Sequence, residues 1–135
     1  MRAIGMVVMA VSLSAHAATL AHGRWRITVH SPYLNTTYAA CYTGSHPPIP
    51  RQPGQTCHLS SWSTKGRVLR GQEVCRQAMP NGESALTNIH IMLIVGNNGK
   101  SYSGRVRAQV HTPMGVFASR ETLIGRWMSV DCKRP

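Results

Sequence analysis

The chain has 135 residues, a formal net charge of +11 and a sequence pI near 10.6, with 15 Lys and Arg against four Asp and Glu. This length is enough for one domain with a modest core. The few acids disfavour paired-carboxylate chemistry, and the single Phe disfavours a stacking platform for nucleic acid. The basic composition has two interpretations: the protein binds anionic partners, or the charge serves only its solubility.

The first 17 residues have the pattern of a secretory signal peptide. Arg2 precedes an uninterrupted small and apolar run, and Ala15-His16-Ala17 matches the A-x-A cleavage site. The run is far shorter than the roughly 20 residues that span a bilayer, and no other run approaches that length. We therefore expect cleavage near Ala17 and a mature domain of residues 18–135 without a membrane span. Loss of Arg2 leaves 14 cations and four acids, a net charge of +10.

The rest of the chain consists of short runs of apolar or alternating residues separated by turn sequences, which is typical of antiparallel strands. In the first run, Trp25, Ile27 and Val29 alternate with polar residues and are predicted to face inward. The sequence predicts an all-β domain built as a single antiparallel β-meander of six to eight strands, either a barrel or a sandwich. The predicted strands are residues 23–29, 36–42, 56–63, 67–76, 86–95, 102–111 and 116–124.

Two segments depart from this regular pattern. Residues 44–54 are rich in Pro, which removes backbone donors and favours an extended loop, either a plain connection or a ligand-contacting one. In the hairpin predicted over residues 56–76, with its turn at 64–66, Leu59 and Trp62 are three positions apart. This spacing predicts that the two side chains lie on opposite faces.

Four cysteines follow the predicted cleavage site, and an even number in a small exported domain implies two disulfides. Three connectivities are possible. We favour Cys41–Cys57, which would close the Pro-rich loop, and Cys75–Cys132, which would tie the C-terminus to the sheet. No C-x-x-C pair occurs and the histidines are scattered, so we expect no zinc site and no cofactor.

A row of polar side chains along the sixth predicted strand is the candidate ligand-binding site. Arg105, Arg107, Gln109 and His111 should share one face, and Arg120 on the next strand extends the row. Guanidinium groups in such a row are able to hold a carboxylate or phosphate by paired hydrogen bonds. The alternative is a solvated outer face, since cations also protect sheets from edge-to-edge pairing.

The three tryptophans either belong to the core or line a ligand site. We interpret Trp25, Trp62 and Trp127 as core residues rather than a ligand cup.

The sequence shows no motif for catalysis. It lacks a G-x-S-x-G nucleophile motif. Glu73 and Glu121 lie in predicted strands, where cross-strand ion pairs with Arg are expected. We therefore predict that the protein is not an enzyme.

Four features of the sequence occur together: an opening Gly23-Arg24-Trp25, four cysteines in this order, a Ser-Tyr-Ser-Gly segment at residues 101–104, and a closing Ile124-Gly125 with Asp131-Cys132. In these features the chain resembles a family of small exported bacterial proteins, the domain of unknown function 3617. The resemblance implies an exported, disulfide-containing β-fold, and it implies no activity or catalytic residues.

These observations lead to one function hypothesis and two alternatives. We predict a periplasmic or secreted, non-enzymatic protein that binds an anionic envelope component, lipid or glycan, through the basic strand face. Export argues against nucleic acid as the partner. The alternatives are an interaction protein that docks on an envelope protein by a sheet edge, and a small hydrolase.

Overall fold

The computed structural model describes residues 19–52, 54–96 and 98–132, so the predicted signal peptide lies outside the described residues. These ranges contain seven β-strands and no helix, and hence no helix that could cross a membrane. The predicted all-β fold is confirmed. The strands are β1 (Gly23–His30), β2 (Asn35–Tyr42), β3 (Gln55–Lys65), β4 (Val68–Ala78), β5 (Ser84–Val95), β6 (Ser101–Thr112) and β7 (Gly115–Ser129).

The seven strands form a single antiparallel sheet in the order β2-β1-β7-β6-β5-β4-β3. Strands β3 to β7 follow one another as hairpins, and the β1–β2 hairpin is added beside β7. The first strand therefore lies next to the last one. Strands β2 and β3 are the two edges of the sheet.

One face of the sheet carries the hydrophobic core. Trp25, Ile27 and Val29 are buried there, as their alternation predicts. Side chains from all seven strands pack on this core face, together with Leu20, which precedes β1. The sheet therefore has one hydrophobic core, to which every strand contributes. Burial raises the pKa of the Tyr102 phenol, which lies in this core.

The Pro-rich segment between β2 and β3 covers part of the core face. Pro48 and Ile49 are buried, and the Tyr102 hydroxyl donates a hydrogen bond of 2.5 Å to the Pro48 carbonyl oxygen. The three tryptophans also have structural roles. Trp25 and Trp127 donate their indole N–H groups to the carbonyls of residues 21 and 22, and Trp62 packs on the core.

A β-bulge in β3 changes the predicted orientation of two side chains. The register shifts between Leu59 and Ser61, and the Ser60 hydroxyl donates a hydrogen bond of 2.9 Å to the Gln72 carbonyl. Leu59 then lies opposite Glu73 and Trp62 opposite Gly71, both on the core face. The prediction of opposite faces is wrong because the bulge inserts one extra residue between them.

The disulfides are Cys41–Cys132 and Cys57–Cys75, so the predicted connectivity is wrong. Cys57 and Cys75 are direct cross-strand partners in the β3–β4 hairpin, which brings their Cβ atoms into bonding range. Cys41 lies at the end of β2, and Cys132 follows β7. Because β1 pairs with both strands at this end of the sheet, the second disulfide crosses β1.

Candidate functional site

The face of the sheet opposite the core carries an open cleft of about 930 Å³, within the range of small-molecule sites. Its side chains alternate along the strands with those of the core face. Strands β3 to β7 and the end of β1 supply them. We call this site the basic cleft, and define it by its six basic side chains: His30, Arg70, His90, Arg105, Arg107 and Arg120.

The register of the sheet arranges these side chains in two rows across the strands. In one row, Met92 of β5 lies between Arg70 and Arg105. In the second row, Arg107 lies between His90 and Arg120. Directly opposed residues have Cβ atoms about 5 Å apart. Guanidinium groups in both rows can therefore reach the same anionic group.

The positive charge of the basic cleft is not balanced by acidic side chains. Among the described residues, no acid forms an ion pair with a side chain of the cleft, and the pairs of Glu73 lie on the core face. Glu121 borders the cleft, but it lies opposite Val106, which places its side chain on the core-face side. Like charges that face each other across strands are destabilising. An anion bound in the cleft would relieve this repulsion.

The structure brings together three of the five residues predicted from sequence: Arg105, Arg107 and Arg120. Gln109 and His111 share their face but lie outside the cleft, closer to the β6–β7 turn. Three further contributors were not predicted from sequence, namely His30, Arg70 and His90. Their own strands show the same alternation, but only the pairing register shows that they are neighbours.

The core face contains a buried ion pair. Glu73 is fully buried, and its two carboxylate oxygens accept hydrogen bonds of 2.5 and 2.8 Å from Arg51, which lies in the Pro-rich loop. His46 of the same loop lies 3.3 Å from the carboxylate. Burial alone would raise the pKa of Glu73, but the hydrogen bonds and charge of Arg51, helped by His46, lower it overall.

The expectation that Glu73 and Glu121 form cross-strand ion pairs with arginines is wrong. Glu73 pairs with a loop and not across the strands, because Arg51 reaches over the core face from the covering segment. Within the described ranges, Glu121 forms no ion pair at all, since the arginines near it project from the other face.

Two groups of residues around Glu73 bear on catalysis and on metal binding. His46 and Glu73 form the His–carboxylate pair that a hydrolase would need, but the Ser45 hydroxyl contacts Thr43 at 3.5 Å instead of His46. The Glu73 carboxylate also lies within 4.8 Å of the sulfur atoms of Cys57 and Cys75. Both sulfur atoms are in a disulfide, however, and metal binding requires free thiolates.

Comparison with protein-family models, curated proteins and solved structures finds no match for this chain. The fold and the cleft alone therefore define its class. It is a small antiparallel β-protein with two disulfides, a loop clamped over the core face, and a basic cleft on the opposite face.

Proposed function

We propose that this is an exported, non-enzymatic protein that binds an anionic envelope component in the basic cleft. The observation that carries the proposal is the concentration of Arg70, Arg105, Arg107 and Arg120 around one cavity, with no ion-pair partner for any of them among the described residues. Two disulfides favour an oxidising compartment such as the periplasm. We also propose that the chain is a member of the domain of unknown function 3617 family, which it resembles in sequence.

The cleft chemistry favours ligands with several oxyanions. A guanidinium group presents a planar fork of N–H donors that pairs with phosphate, sulfate or carboxylate oxygens. The two rows provide four such groups, one from β4, two from β6 and one from β7. A single small anion would contact only part of this surface. A lipid headgroup with a phosphate, or an acidic glycan, would occupy more of it.

The test is the affinity for labelled dextran sulfate, a soluble polyanion, at fixed ionic strength. The variant R105Q/R107Q/R120Q should bind at least about 100-fold more weakly, because each of the three arginines contributes about 1 kcal/mol near an anionic surface. The matched control is R24Q/R26Q/R126Q, which removes three charges from the same face outside the cleft. If the cleft is the binding site, the affinity of the control variant for dextran sulfate should fall by less than about fivefold. Equal losses in both variants would refute the cleft as a specific site.

A second candidate function is docking on an envelope protein by a sheet edge. It is favoured by β2 and β3, whose outer backbone groups have no partner strand among the described residues. Added strands commonly pair with such edges. Under this alternative, R105Q/R107Q/R120Q should leave complex formation with the partner intact, whereas Pro substitutions in β2 should abolish it.

A further inference from the structure

The β6–β7 hairpin ends in an exposed apolar turn. Met114 is 88% exposed, Val116 59% and Phe117 58%, and we call these three residues the hairpin tip. Phe117 lies opposite Val110, and Val116 lies opposite His111, so the hairpin tip presents apolar side chains on both faces. No acidic residue occurs between positions 109 and 120.

The hairpin tip extends beyond β1, its neighbour on the β7 side, whereas on the β6 side β5 pairs with β6 as far as Leu86, opposite His111. Strand β1 pairs with β7 only as far as Thr122, opposite His30, so Gly115–Glu121 are paired with β6 alone among the described residues. Seven residues of strand extend about 23 Å. The side chains of the hairpin tip are exposed and do not belong to the hydrophobic core, so core packing does not explain their apolar character.

The spacing between the hairpin tip and the basic cleft matches the layers of a membrane surface. Phe117 and Arg120 are three residues apart on β7, which is about 10 Å along a strand. Interfacial elements bury apolar side chains about 5–10 Å into the boundary between headgroups and acyl chains. With the hairpin tip at that depth, Arg120 and its cross-strand neighbour Arg107 lie at the level of the lipid phosphates.

We propose that the hairpin tip inserts into the surface of an anionic lipid layer while the basic cleft holds the phosphates of its headgroups. This inference rests on the proposed function and names the occupant, since charge complementarity and an acid-free apolar turn together fit a lipid surface. The unpaired backbone edge of Gly115–Glu121 keeps the insertion shallow, because unsatisfied N–H and C=O groups are costly in hydrocarbon.

The experiment measures co-sedimentation with phosphatidylcholine vesicles that contain or lack phosphatidylglycerol. Wild type should bind the anionic vesicles and not the neutral ones. The variant M114S/V116S/F117S should bind the anionic vesicles at least about tenfold more weakly, yet bind dextran sulfate like wild type. The matched control is M128S/V130S, which replaces exposed apolar residues at the opposite end of β7. It should keep wild-type binding to both probes.

A fluorescence measurement follows insertion directly. The variant F117W should gain an emission component that acyl-chain-brominated phosphatidylglycerol quenches, whereas M128W, at the opposite end of β7, should show no such component.

The outcomes separate this inference from the proposed function. If M114S/V116S/F117S binds anionic vesicles as well as wild type does, the lipid inference is wrong while the cleft proposal stands. The same holds if wild type binds dextran sulfate but no vesicles, which would favour a glycan. If R105Q/R107Q/R120Q binds both probes like wild type, the cleft proposal is wrong as well.

Discussion

Replacing Cys41 and Cys132 together with Ala should lower the free energy of unfolding by about 4–5 kcal/mol, measured by urea denaturation under oxidising conditions. The two residues are separated by 91 positions, and closing so long a loop removes much of the entropy of the unfolded chain. A small domain has a total stability of about 5–15 kcal/mol, so the variant should be near its folding limit. A loss below about 2 kcal/mol would contradict this account.

Single substitutions test the connectivity on which this prediction depends. In C41A, the structure leaves Cys132 as the free thiol and keeps Cys57–Cys75 intact. Thiol labelling followed by peptide mapping should therefore modify Cys132 alone. Labelling of Cys57 would support the pairing that sequence spacing favoured.

Replacing Arg51 with Ala should lower the free energy of unfolding by about 3 kcal/mol. Removing one partner of a buried ion pair leaves the other charge uncompensated, which costs about 3–5 kcal/mol. We expect the lower end of this range because the pair is only partly shielded from solvent: the Arg51 side chain is 29% exposed, while that of Glu73 is 0% exposed. Loss of the Arg51–Glu73 ion pair should also speed up the hydrogen exchange of backbone amides around Ile49.

The control for Arg51 removes both charges at once. Replacing a buried pair with apolar residues of similar volume is often neutral, so R51M/E73L should be more stable than R51A. If the two variants lose the same free energy, the uncompensated Glu73 carboxylate is not the cause.

The pH dependence of stability gives a second check on this pair. The folded-state pKa of Glu73 lies below its usual value of 4.5, so its ionised form contributes stability above pH 4.5. That contribution is lost as the pH falls through the folded-state pKa. The difference in unfolding free energy between wild type and E73Q should therefore be constant near neutral pH and shrink below pH 4.5.

Much of the sheet was predictable because alternation is a local property. The pattern Trp25, Ile27, Val29 gave the core face of β1 correctly, and Arg105 and Arg107 were placed on one face of β6. The bulge at Ser60 was not predictable from alternation, because the extra residue is detected only against the partner strand.

The features missed from sequence all depend on contacts between distant segments. The predicted hairpin already contained both Cys57 and Cys75. Only the register of the β3–β4 pair shows that the two residues lie directly opposite each other, and this decides the disulfide connectivity. Arg70 and His90 join the basic cleft only because β4 and β5 pair beside β6. Arg51 reaches Glu73 across 22 positions, through a loop whose path has no periodic pattern.

The most direct test of the central claim locates the anion on the protein. Amide and guanidinium N–H resonances of the wild type are followed by NMR during titration with inorganic tripolyphosphate. The account predicts that shifts concentrate at Arg70, His90, Arg105, Arg107 and Arg120, in the basic cleft. Arg24, Arg26 and Arg126, on the same face outside the cleft, should stay nearly unchanged. Equal shifts in both groups, or shifts centred on the second, would contradict an anion site in the cleft.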